Sequence, residues 1–491
     1  MAAAAPPAGM PHRGWTLLTV CLGAFMATLD TSIVSIALPQ MARDLGASLA
    51  AISWVMMAYL ITNASLLLSS SRLGDMLAPG RLFLGGITIF GLASIVCGLS
   101  SQTWTLVAAR AVQGLGASLM LGVAPKIITT TYGEGERGLP LGLFSTAFAT
   151  GVTVGAPLGG FITSAWGWPM VFFINPPICL GALLLGGRFL LRLRPETPWE
   201  GRSFDWQGGT LFFVSVSLLM WALTQVRTQG WLDVKIVVAL GGAGAAFLFL
   251  LIMERRQTMP LLHGELWRNP DFYLGSTTVV LTFAAVMGTF FLLPFYLEGL
   301  FGLPPKTVGW LLAVLSFSNA LVSPLGGFYA DRWNNLLVLR LGAFLVVGGL
   351  CGLLWLGPST SLGLLVFVFA LTGVGFGMFQ APNLNEMLRG VRTQMLGLAA
   401  GTNAVLKNLG SLLGIALMVT MAALGDRQPA SPATGQCLEW PCFQRAFAAA
   451  ALLAALNALV NLLPRQRLQR SKLRGRISVQ KGKDREKPSG P

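Results

Sequence analysis

Long apolar stretches recur along the whole chain of 491 residues and alternate with short segments rich in charged residues, glycine and proline. A helix needs about 20 predominantly apolar residues to cross the hydrocarbon layer of a bilayer. Fourteen windows approach or meet that length and predict spans at 15–38, 50–70, 82–100, 104–124, 141–163, 169–191, 207–226, 234–253, 273–297, 307–327, 337–357, 361–383, 396–422 and 443–463. The pattern predicts an all-α polytopic membrane protein.

The composition excludes a soluble domain, because 54% of the residues are hydrophobic and only 11% are charged. The first apolar run is too long for a signal peptide, and no small-residue cleavage site follows it before Pro39. The net charge of +15 does not indicate nucleic-acid binding, since ten basic residues follow from Arg465 onward against Asp484 and Glu486. We expect residues 465–491 to be a disordered cytoplasmic tail that is attracted to anionic lipid.

The distribution of basic residues between alternate loops predicts the orientation. One set of loops carries Arg13, Arg72, Arg81, Lys126, Arg137, Arg188, Arg202, Arg255, Arg256, Arg268, Arg332, Arg389 and Arg392, together with the basic tail. The other set carries only Arg43, Arg227, Lys235, Lys306, Arg427 and Arg445. Because loops rich in Lys and Arg stay in the cytoplasm, both termini, including residues 1–14, are predicted to lie there.

Four cysteines lie inside apolar runs and are expected to be small core residues. Cys437 and Cys442 share the polar loop CLEWPC, which the predicted topology places outside. A disulfide between them is one option in that location. No further Cys or His stands near them, so no metal site is predicted.

The chain contains an internal repeat at an offset of about 256 residues, which places 51–76 over 307–332. Trp54 then meets Trp310, and Asn63 meets Asn319, at the same depth in spans of the same direction. Parallel halves of this kind are typical of transporters that hold substrate at the midplane between them. We therefore predict a six-helix bundle at 15–200, two additional helices within 201–260 and a second six-helix bundle at 261–464.

Asp30 is an acidic residue inside the first apolar span, where a charged carboxylate costs several kcal/mol and usually carries function. Counting along the helices places Asp30 about 12 Å and Arg110 about 10 Å from the same membrane surface. Opposite charges at matching depth are natural partners, because each offsets the desolvation of the other. The pair is a candidate element for proton coupling, and the alternative is a static ion pair that aligns the first and fourth spans.

Asp30 does not share a helix face with its hydroxyl-bearing neighbours. Thr28, Thr31, Ser32 and Ser35 follow the spacing of one helical stripe, while Asp30 lies about 100° away from Thr31. If the stripe lines the substrate path, Asp30 points sideways toward a neighbouring helix. The alternative for the stripe is close helix packing through small hydroxyls.

Seven segments, taken in order, resemble the fourteen-span drug:proton antiporter family of the major facilitator superfamily. They are LDTSIVSIALP (29–39), RLGDMLAPGR (72–81), RAVQGLG (110–116), GVTVGAPLGG (151–160), WGWPMVFFINPP (166–177), FDWQGG (204–209) and LPFYLEGLFGLPP (293–305). The resemblance covers about residues 15 to 463. It implies a major facilitator fold of two six-helix bundles plus two intervening helices, working as a monomer in the plasma (inner) membrane without a cofactor. It also implies export of small, often amphiphilic compounds against an inward flow of protons.

Two further groups of residues correspond to family motifs, although the second-span segment departs from the family pattern at Ser71, Met76, Ala78 and Pro79 and keeps only Arg81 of its basic run. The antiport or hinge motif of the fifth span comprises Gly151, Gly155, Pro157, Gly159 and Gly160, although Ala156 separates the proline from the glycine that it directly follows in the family. A gate is predicted where the second and tenth spans meet the cytoplasm, formed by Asp75, Arg81, Asp331 and Arg332. The alternative for these acids is an ordinary charge at the membrane interface.

Polar and aromatic residues inside other spans are candidates for the substrate cavity. They are Gln113, Asn63, Asn319, Phe291, Tyr296, Gln380, Asn403 and Lys407. Lys407 lies near mid-depth and either snorkels or counters an acid in the cavity. The aromatic residues either form an apolar wall for lipophilic substrates or face lipid.

Other functions remain weaker interpretations of this sequence. A symporter or uniporter for a metabolite is not excluded by the placement of acidic residues. A membrane enzyme would need clustered catalytic groups, but His12 and His263 lie far apart, and neither a catalytic set nor a P-loop is present in the sequence. A receptor or scaffold would need a long polar domain, which the sequence lacks.

Overall fold

The computed structural model describes residues 12–133, 135–193, 206–254, 264–392, 395–423 and 439–463. Regular secondary structure in these ranges is entirely helical. Most of the N-terminal segment, the basic tail and Cys437 lie outside them, so the predictions about those parts of the chain stay predictions.

The described ranges contain sixteen α-helices, which are numbered here in chain order. They are α1 (Arg13–Asp44), α2 (Leu49–Met76), α3 (Pro79–Leu99), α4 (Thr103–Thr131), α5 (Gly138–Trp166), α6 (Met170–Phe173), α7 (Asn175–Leu190), α8 (Trp206–Gln229), α9 (Val234–Glu254), α10 (Gly264–Trp267), α11 (Pro270–Phe301), α12 (Pro305–Tyr329), α13 (Asn335–Leu353), α14 (Leu362–Leu388), α15 (Leu396–Ala423) and α16 (Trp440–Leu462). A π-helical turn, Ala330–Asn334, joins α12 to α13.

Fourteen helical segments are long and apolar enough to cross a membrane, which confirms the predicted number of spans. Several helices extend beyond the predicted windows. Helices α1 and α11, for example, each have 32 residues, and a helix of that length measures about 48 Å. The sixth span is not one continuous helix, because the helix is interrupted at Ile174, between α6 and α7. Pro176 and Pro177 explain the break, because neither residue has an N–H group to bond to the preceding turn.

The two halves of the chain repeat one packing pattern, as the major facilitator fold class requires. Helix α1 packs on α5 as α11 packs on α15, and α2 packs on α4 as α12 packs on α14. Likewise α3 packs on α4 as α13 packs on α14. The contacts confirm two six-helix bundles, while the exact residue boundaries predicted between them stay predictions.

The repeat extends to individual contacts between helices. A Cβ atom added at Gly114 of α4 would lie 2.5 Å from the carbonyl oxygen of Tyr59 on α2. A Cβ atom added at Gly373 of α14 would lie 2.3 Å from the carbonyl oxygen of Leu315 on α12. Tyr59 and Leu315 are 256 positions apart, which is the offset of the internal repeat. Both crossings therefore need a glycine for the same close approach of the backbones.

The two intervening helices lie beside one edge of the contact between the halves. Helix α9 packs on α8, and α8 contacts both α2 and α15. The hydroxyl of Thr420 on α15 donates a hydrogen bond of 2.8 Å to the carbonyl oxygen of Leu223 on α8. Helix α8 thus touches both halves of the molecule rather than one.

The halves meet closely at one end of the molecule, which we call the distal side because it is opposite the side where α1 begins. There a Cβ atom added at Gly160 of α5 would lie 2.3 Å from the carbonyl oxygen of Pro305 on α12. The backbone N–H of Lys306 also donates to the hydroxyl of Ser164, over 3.0 Å. These contacts form the distal seal.

Charged side chains also join the halves at the distal side. Arg43, at the end of α1, forms a salt bridge of 3.0 Å with Glu298 near the end of α11. On the opposite, terminal side, α5 and α12 present exposed apolar side chains, including Leu139 and Leu321. The structure is therefore a state in which the distal seal is closed.

Candidate functional site

Asp30 of α1 and Arg110 of α4 form a salt bridge in the interior of the N-terminal bundle. Nη1 of Arg110 lies 2.5 Å from Oδ2 of Asp30, and both side chains are completely buried. Nε of Arg110 donates over 3.0 Å to the carbonyl oxygen of Val55 on α2. Matching depth on antiparallel helices thus brings together the two charges that the sequence paired.

Amide and hydroxyl groups from two further helices complete this buried network. Oδ1 of Asp30 accepts hydrogen bonds from Nε2 of Gln113, over 2.9 Å, and from Nδ2 of Asn175, over 2.8 Å. Gln113 also donates to Ser94 of α3 over 2.8 Å, and its Oε1 accepts from Arg110 over 2.6 Å. Charge-assisted hydrogen bonds of this kind are roughly twice as strong as neutral ones. The carboxylate therefore connects α1 with α4 and α7, and Gln113 extends the network to α3.

Aromatic rings enclose the guanidinium group, and part of the network lacks partners. The Cζ atom of Arg110 lies 4.4 Å from the ring centroid of Tyr59 and 5.9 Å from that of Phe172. Among the described residues, Nη2 of Arg110 and Oδ1 of Asn175 are buried without a hydrogen-bond partner. A buried network with unused donor and acceptor capacity can adopt a second arrangement when one member changes its charge.

The C-terminal half builds the equivalent helix crossings without charged groups. A Cβ atom added at Gly151 would lie 2.5 Å from the carbonyl oxygen of Phe25, and one added at Gly410 would lie 2.7 Å from that of Val280. Phe25 and Val280 are 255 positions apart, so position 285 corresponds to position 30. The offset of 259 between Gly114 and Gly373 likewise relates position 369 to position 110.

The residues at these equivalent positions are Ala285 and Phe369, and both are buried. A small and a large apolar side chain therefore occupy the places that Asp30 and Arg110 occupy in the other half. Helix packing in this fold does not by itself demand the ion pair.

The hydroxyl stripe of α1 packs against α5. The hydroxyl of Thr28 donates over 3.0 Å to the carbonyl oxygen of Phe148, and that of Ser32 donates over 2.9 Å to the carbonyl oxygen of Val152. The structure thus favours the packing interpretation of the stripe. The helical phase placed Asp30 toward a neighbouring helix, and that is where the structure has it.

The glycine motif of α5 contacts helices on two of its faces. Gly151, Gly155 and Gly159 lie against the backbone or small hydroxyl side chains of α1. Gly160 lies against α12 at the distal seal, where Gly309 approaches Pro157 and the carbonyl oxygen of Ala156. The motif therefore lies between α1 and α12, and its role as a hinge stays a prediction.

The proposed gate falls partly outside the described side chains. The side chains of Asp75 and Asp331 are not described. Arg81 is exposed in the first turn of α3, and Arg332 is exposed with its Cζ atom 4.7 Å from the ring centroid of Phe328. The gating role of all four residues stays a prediction.

A second polar group lies in the C-terminal half. Nζ of Lys407 lies 3.5 Å from Oε1 of Gln380, whose Nε2 donates over 3.2 Å to Oδ1 of Asn319. These side chains are partly exposed, unlike the network around Asp30. Asn63 of α2 faces Nδ2 of the neighbouring Asn408 over 3.5 Å, across the contact between the halves. The structure therefore places Asn63 where the halves meet, and it groups Asn319, Gln380 and Lys407 inside the C-terminal half, next to Asn408 along α15.

Other cavity candidates lie in closely packed places. Phe291 and Tyr296 are buried in the interior of the C-terminal bundle, where the hydroxyl of Tyr296 donates to the carbonyl oxygen of Leu356. Gln113 belongs to the buried network, and Asn403 is buried with no partner for its Oδ1 among the described residues. In this state these four residues do not line an open surface.

Sequence reasoning missed two members of the network around Asp30. Asn175 lies within the FINPP segment, immediately before the two prolines, and Ser94 lies on α3 between apolar residues. The two prolines after Asn175 were the available signal, because they predict an interrupted helix, and interrupted backbone at membrane depth occurs only where protein or a cavity surrounds it.

Comparison with known proteins shows which of them are similar to this chain in sequence or in fold. The model of the Major Facilitator Superfamily matches residues 20–415. The riboflavin transporter RibZ of Clostridioides difficile is 30% identical over 84% of this chain and 89% of its own length. The tetracenomycin C resistance and export protein of Streptomyces glaucescens is 30% identical over 86% of this chain and 79% of its own length.

Two further matches are to a multidrug resistance protein and to the solved structure of a transporter homolog. The multidrug resistance protein Stp of Mycobacterium tuberculosis (strain ATCC 25618 / H37Rv) is 29% identical over 83% of this chain and 75% of its own length. A crystal structure of a bacterial homolog of the human lysosomal transporter Spinster, inward-facing and unoccupied, superposes with a TM-score of 0.65 at 15% identity. It covers 93% of this chain and 97% of its own, and at that identity the match shows the shared fold alone.

Proposed function

The chain belongs to the major facilitator superfamily, in its fourteen-span drug:proton antiporter family, and we propose that it exports small lipophilic or amphiphilic compounds in exchange for protons. It is an integral membrane protein of a transporter family rather than an enzyme family. Alternating access between the two halves is the mechanism that this fold serves. Relatives named for multidrug resistance and for antibiotic export support the proposed direction and substrate class.

The observation that carries the proposal is the ion pair of Asp30 and Arg110, which only one of the two halves possesses. Ala285 and Phe369 fill the equivalent places in the other half, so an apolar pair suits this crossing. Replacing a buried ion pair by apolar residues is often neutral or stabilising. A costly pair that packing does not require is best explained by a role in proton coupling.

The proposed coupling follows from the contacts of the carboxylate. Protonation of Asp30 removes the charge that holds Arg110 and turns one acceptor oxygen into a donor, which disturbs the hydrogen bonds from Gln113 and Asn175. These residues belong to α1, α4 and α7, so one proton changes the packing of three helices. Asp30 is completely buried while the distal seal is closed, so its proton exchanges only in another state.

One comparison favours a second candidate function, the transport of a metabolite. RibZ is named a riboflavin transporter and is as similar to this chain as the exporters are, at 30% identity. A symporter or uniporter would share the fold and differ in the direction of coupling to the proton gradient.

Flux through purified protein in proteoliposomes distinguishes these functions. We expect an imposed pH gradient to drive accumulation of an amphiphilic substrate on the proton-rich side, against its own gradient, because antiport exchanges the two in opposite directions. Dye flux measured with and without the gradient tests this, with protein-free liposomes as the control. Accumulation in the same direction as the proton flow would show symport instead of antiport. A dye flux that is unchanged by the gradient would refute proton coupling.

We also propose that both termini face the cytoplasm and that the terminal side of the structure is the inner side. We expect a reporter active only in the cytoplasm to function when fused after residue 463, and an outward reporter to function after Trp231 in the loop before α9. Paired alkaline phosphatase and fluorescent-protein fusions measure this. The reverse pattern of activities would contradict the proposed orientation.

A further inference from the structure

The amine of Lys407 lies at the middle of a membrane-spanning helix without an opposite charge among the described residues. Eleven residues of α15 precede Lys407 and sixteen follow it, so neither membrane surface is near. A charged side chain at that depth is costly unless it pairs with another group or faces a water-filled cavity. The groups around the amine of Lys407 therefore indicate its role.

Four helices of the C-terminal half each contribute one side chain to this place. Lys407 lies on α15, and its Nζ atom is 3.5 Å from Oε1 of Gln380 on α14. Gln380 in turn bonds to Asn319 on α12. The ring of Phe283 on α11 has its centroid 5.3 Å from Nζ. The ammonium group thus meets a neutral amide at the limit of hydrogen-bond distance and an aromatic ring face.

Acidic residues do not neutralise Lys407 within the described part of the chain. Five acids there each form an ion pair with an arginine instead, namely Asp30, Glu136, Glu265, Glu298 and Glu386. Asp30, the acidic residue deep within the N-terminal bundle, is fully enclosed by its own network. The positive charge of Lys407 has no such counter-charge in the described ranges and stays partly exposed.

The repeat shows that packing does not require this lysine either. The offset of 259 between Gly151 and Gly410 relates position 148 to position 407, and Phe148 occupies the equivalent place on α5. An aromatic residue at the same point of an equivalent helix serves the N-terminal half. Lys407 therefore adds a charge beside Asn408, which contacts Asn63 of the other half, and helix packing alone would not call for that charge.

We propose that Lys407, with Gln380 and Asn319, forms a subsite for the anionic group of an amphiphilic organic anion, such as a carboxylate or sulfonate. The inference rests on the proposed transport function and specifies the substrate class. A carboxylate accepts a charge-assisted hydrogen bond from the ammonium group and further bonds from the amide nitrogens. The face of Phe283 and the apolar side chains around it receive the lipophilic body.

Binding of two dyes that share a xanthene core tests the subsite directly. Fluorescein is anionic and rhodamine 123 is cationic, and both report binding by fluorescence anisotropy. The full chain is placed in nanodiscs of zwitterionic phosphatidylcholine, so that the lipid contributes no net charge. We expect the wild-type protein to bind fluorescein more tightly than rhodamine 123.

Substitution of the lysine should separate the two dyes. We expect Lys407→Gln to weaken fluorescein binding by about tenfold or more while rhodamine 123 binding changes by less than about twofold, since one charge-assisted bond is lost. Lys407→Arg keeps the charge and should restore most of the affinity for fluorescein. Lys235→Gln, which changes an exposed lysine at the start of α9, is the matched control and should change neither dye.

Three results would overturn the subsite. They are an unchanged fluorescein affinity in Lys407→Gln, an equal loss for both dyes, and no binding of fluorescein by the wild-type protein. Size-exclusion profiles of the variants verify that they fold. The assay uses no proton gradient, so failure of gradient-driven export would refute the proposed coupling and leave this binding result intact.

Discussion

Replacing Asp30 by Asn should greatly reduce gradient-driven transport while the protein still assembles in the membrane. Asparagine has the shape of aspartate and retains an oxygen for hydrogen bonds, but it cannot be ionised and leaves Arg110 without a counter-charge. Coupling free energies of about 1–3 kcal/mol correspond to changes of about 5- to 150-fold, and we expect a loss of gradient-driven flux in that range. The measurement is dye flux in proteoliposomes with an imposed pH gradient.

Stability should fall in the same variant. Removing one partner of a buried pair costs about 3–5 kcal/mol, because the remaining charge stays buried without compensation. Asp44→Asn is the matched control, since Asp44 is an exposed acid at the end of the same helix. Transport should survive that change.

A double variant separates coupling from packing. Asp30→Ala with Arg110→Phe copies the residues found at the equivalent positions of the C-terminal half, Ala285 and Phe369. We expect the double variant to be more stable than Asp30→Asn and still to lack gradient-driven flux. Gradient-driven flux at the wild-type level in either variant would show that the pair is a structural connection between helices.

A bulky residue at the distal seal should have the second large effect. A Cβ atom at Gly160 would lie 2.3 Å from the carbonyl oxygen of Pro305, so Gly160→Val cannot form the contact between α5 and α12. Overpacking of this kind costs about 1–3 kcal/mol, which shifts an equilibrium between two states about 5- to 150-fold. We expect the distal side to open and the transport cycle to stall.

Spin labels attached in place of Ala165 and Trp310, both exposed near the distal ends of α5 and α12, measure the opening in an otherwise cysteine-free background. The distance between the labels should lengthen in Gly160→Val. Gly142→Val is the control on the same helix, because a Cβ atom there meets nothing within 4 Å. An unchanged label distance together with normal flux in Gly160→Val would mean that the seal is not required for the cycle.

The sequence was sufficient for the number of the spans, because hydropathy over about 20 residues reports directly on membrane crossing. It was also sufficient for the pairing of Asp30 with Arg110. Two charges inside apolar helices stand out against their surroundings, and their depths follow from counting residues at about 1.5 Å each.

Side-chain neighbours within the bundles were harder to predict. Lipid is as apolar as a protein interior, so the pattern of apolar residues along a membrane helix does not separate its buried face from its lipid-facing one. For this reason Phe291 and Tyr296 were predicted as candidates for the substrate cavity, although the structure buries them within the C-terminal bundle. Asn175 was missed because the two prolines that follow it predict an interrupted helix but not the direction of its side chain, which depends on how α6 and α7 are arranged.

The position of α8 has a consequence for how the molecule moves. This helix holds α2 and α15 together along one edge, partly through the hydrogen bond from Thr420 to Leu223, whereas α5 and α12 meet along the other edge through the distal seal. Because α8 contacts both halves, it must shift against at least one of them in any state that opens the distal seal. The two intervening helices would then move during the proposed transport cycle and would not serve only to fill space in the bilayer.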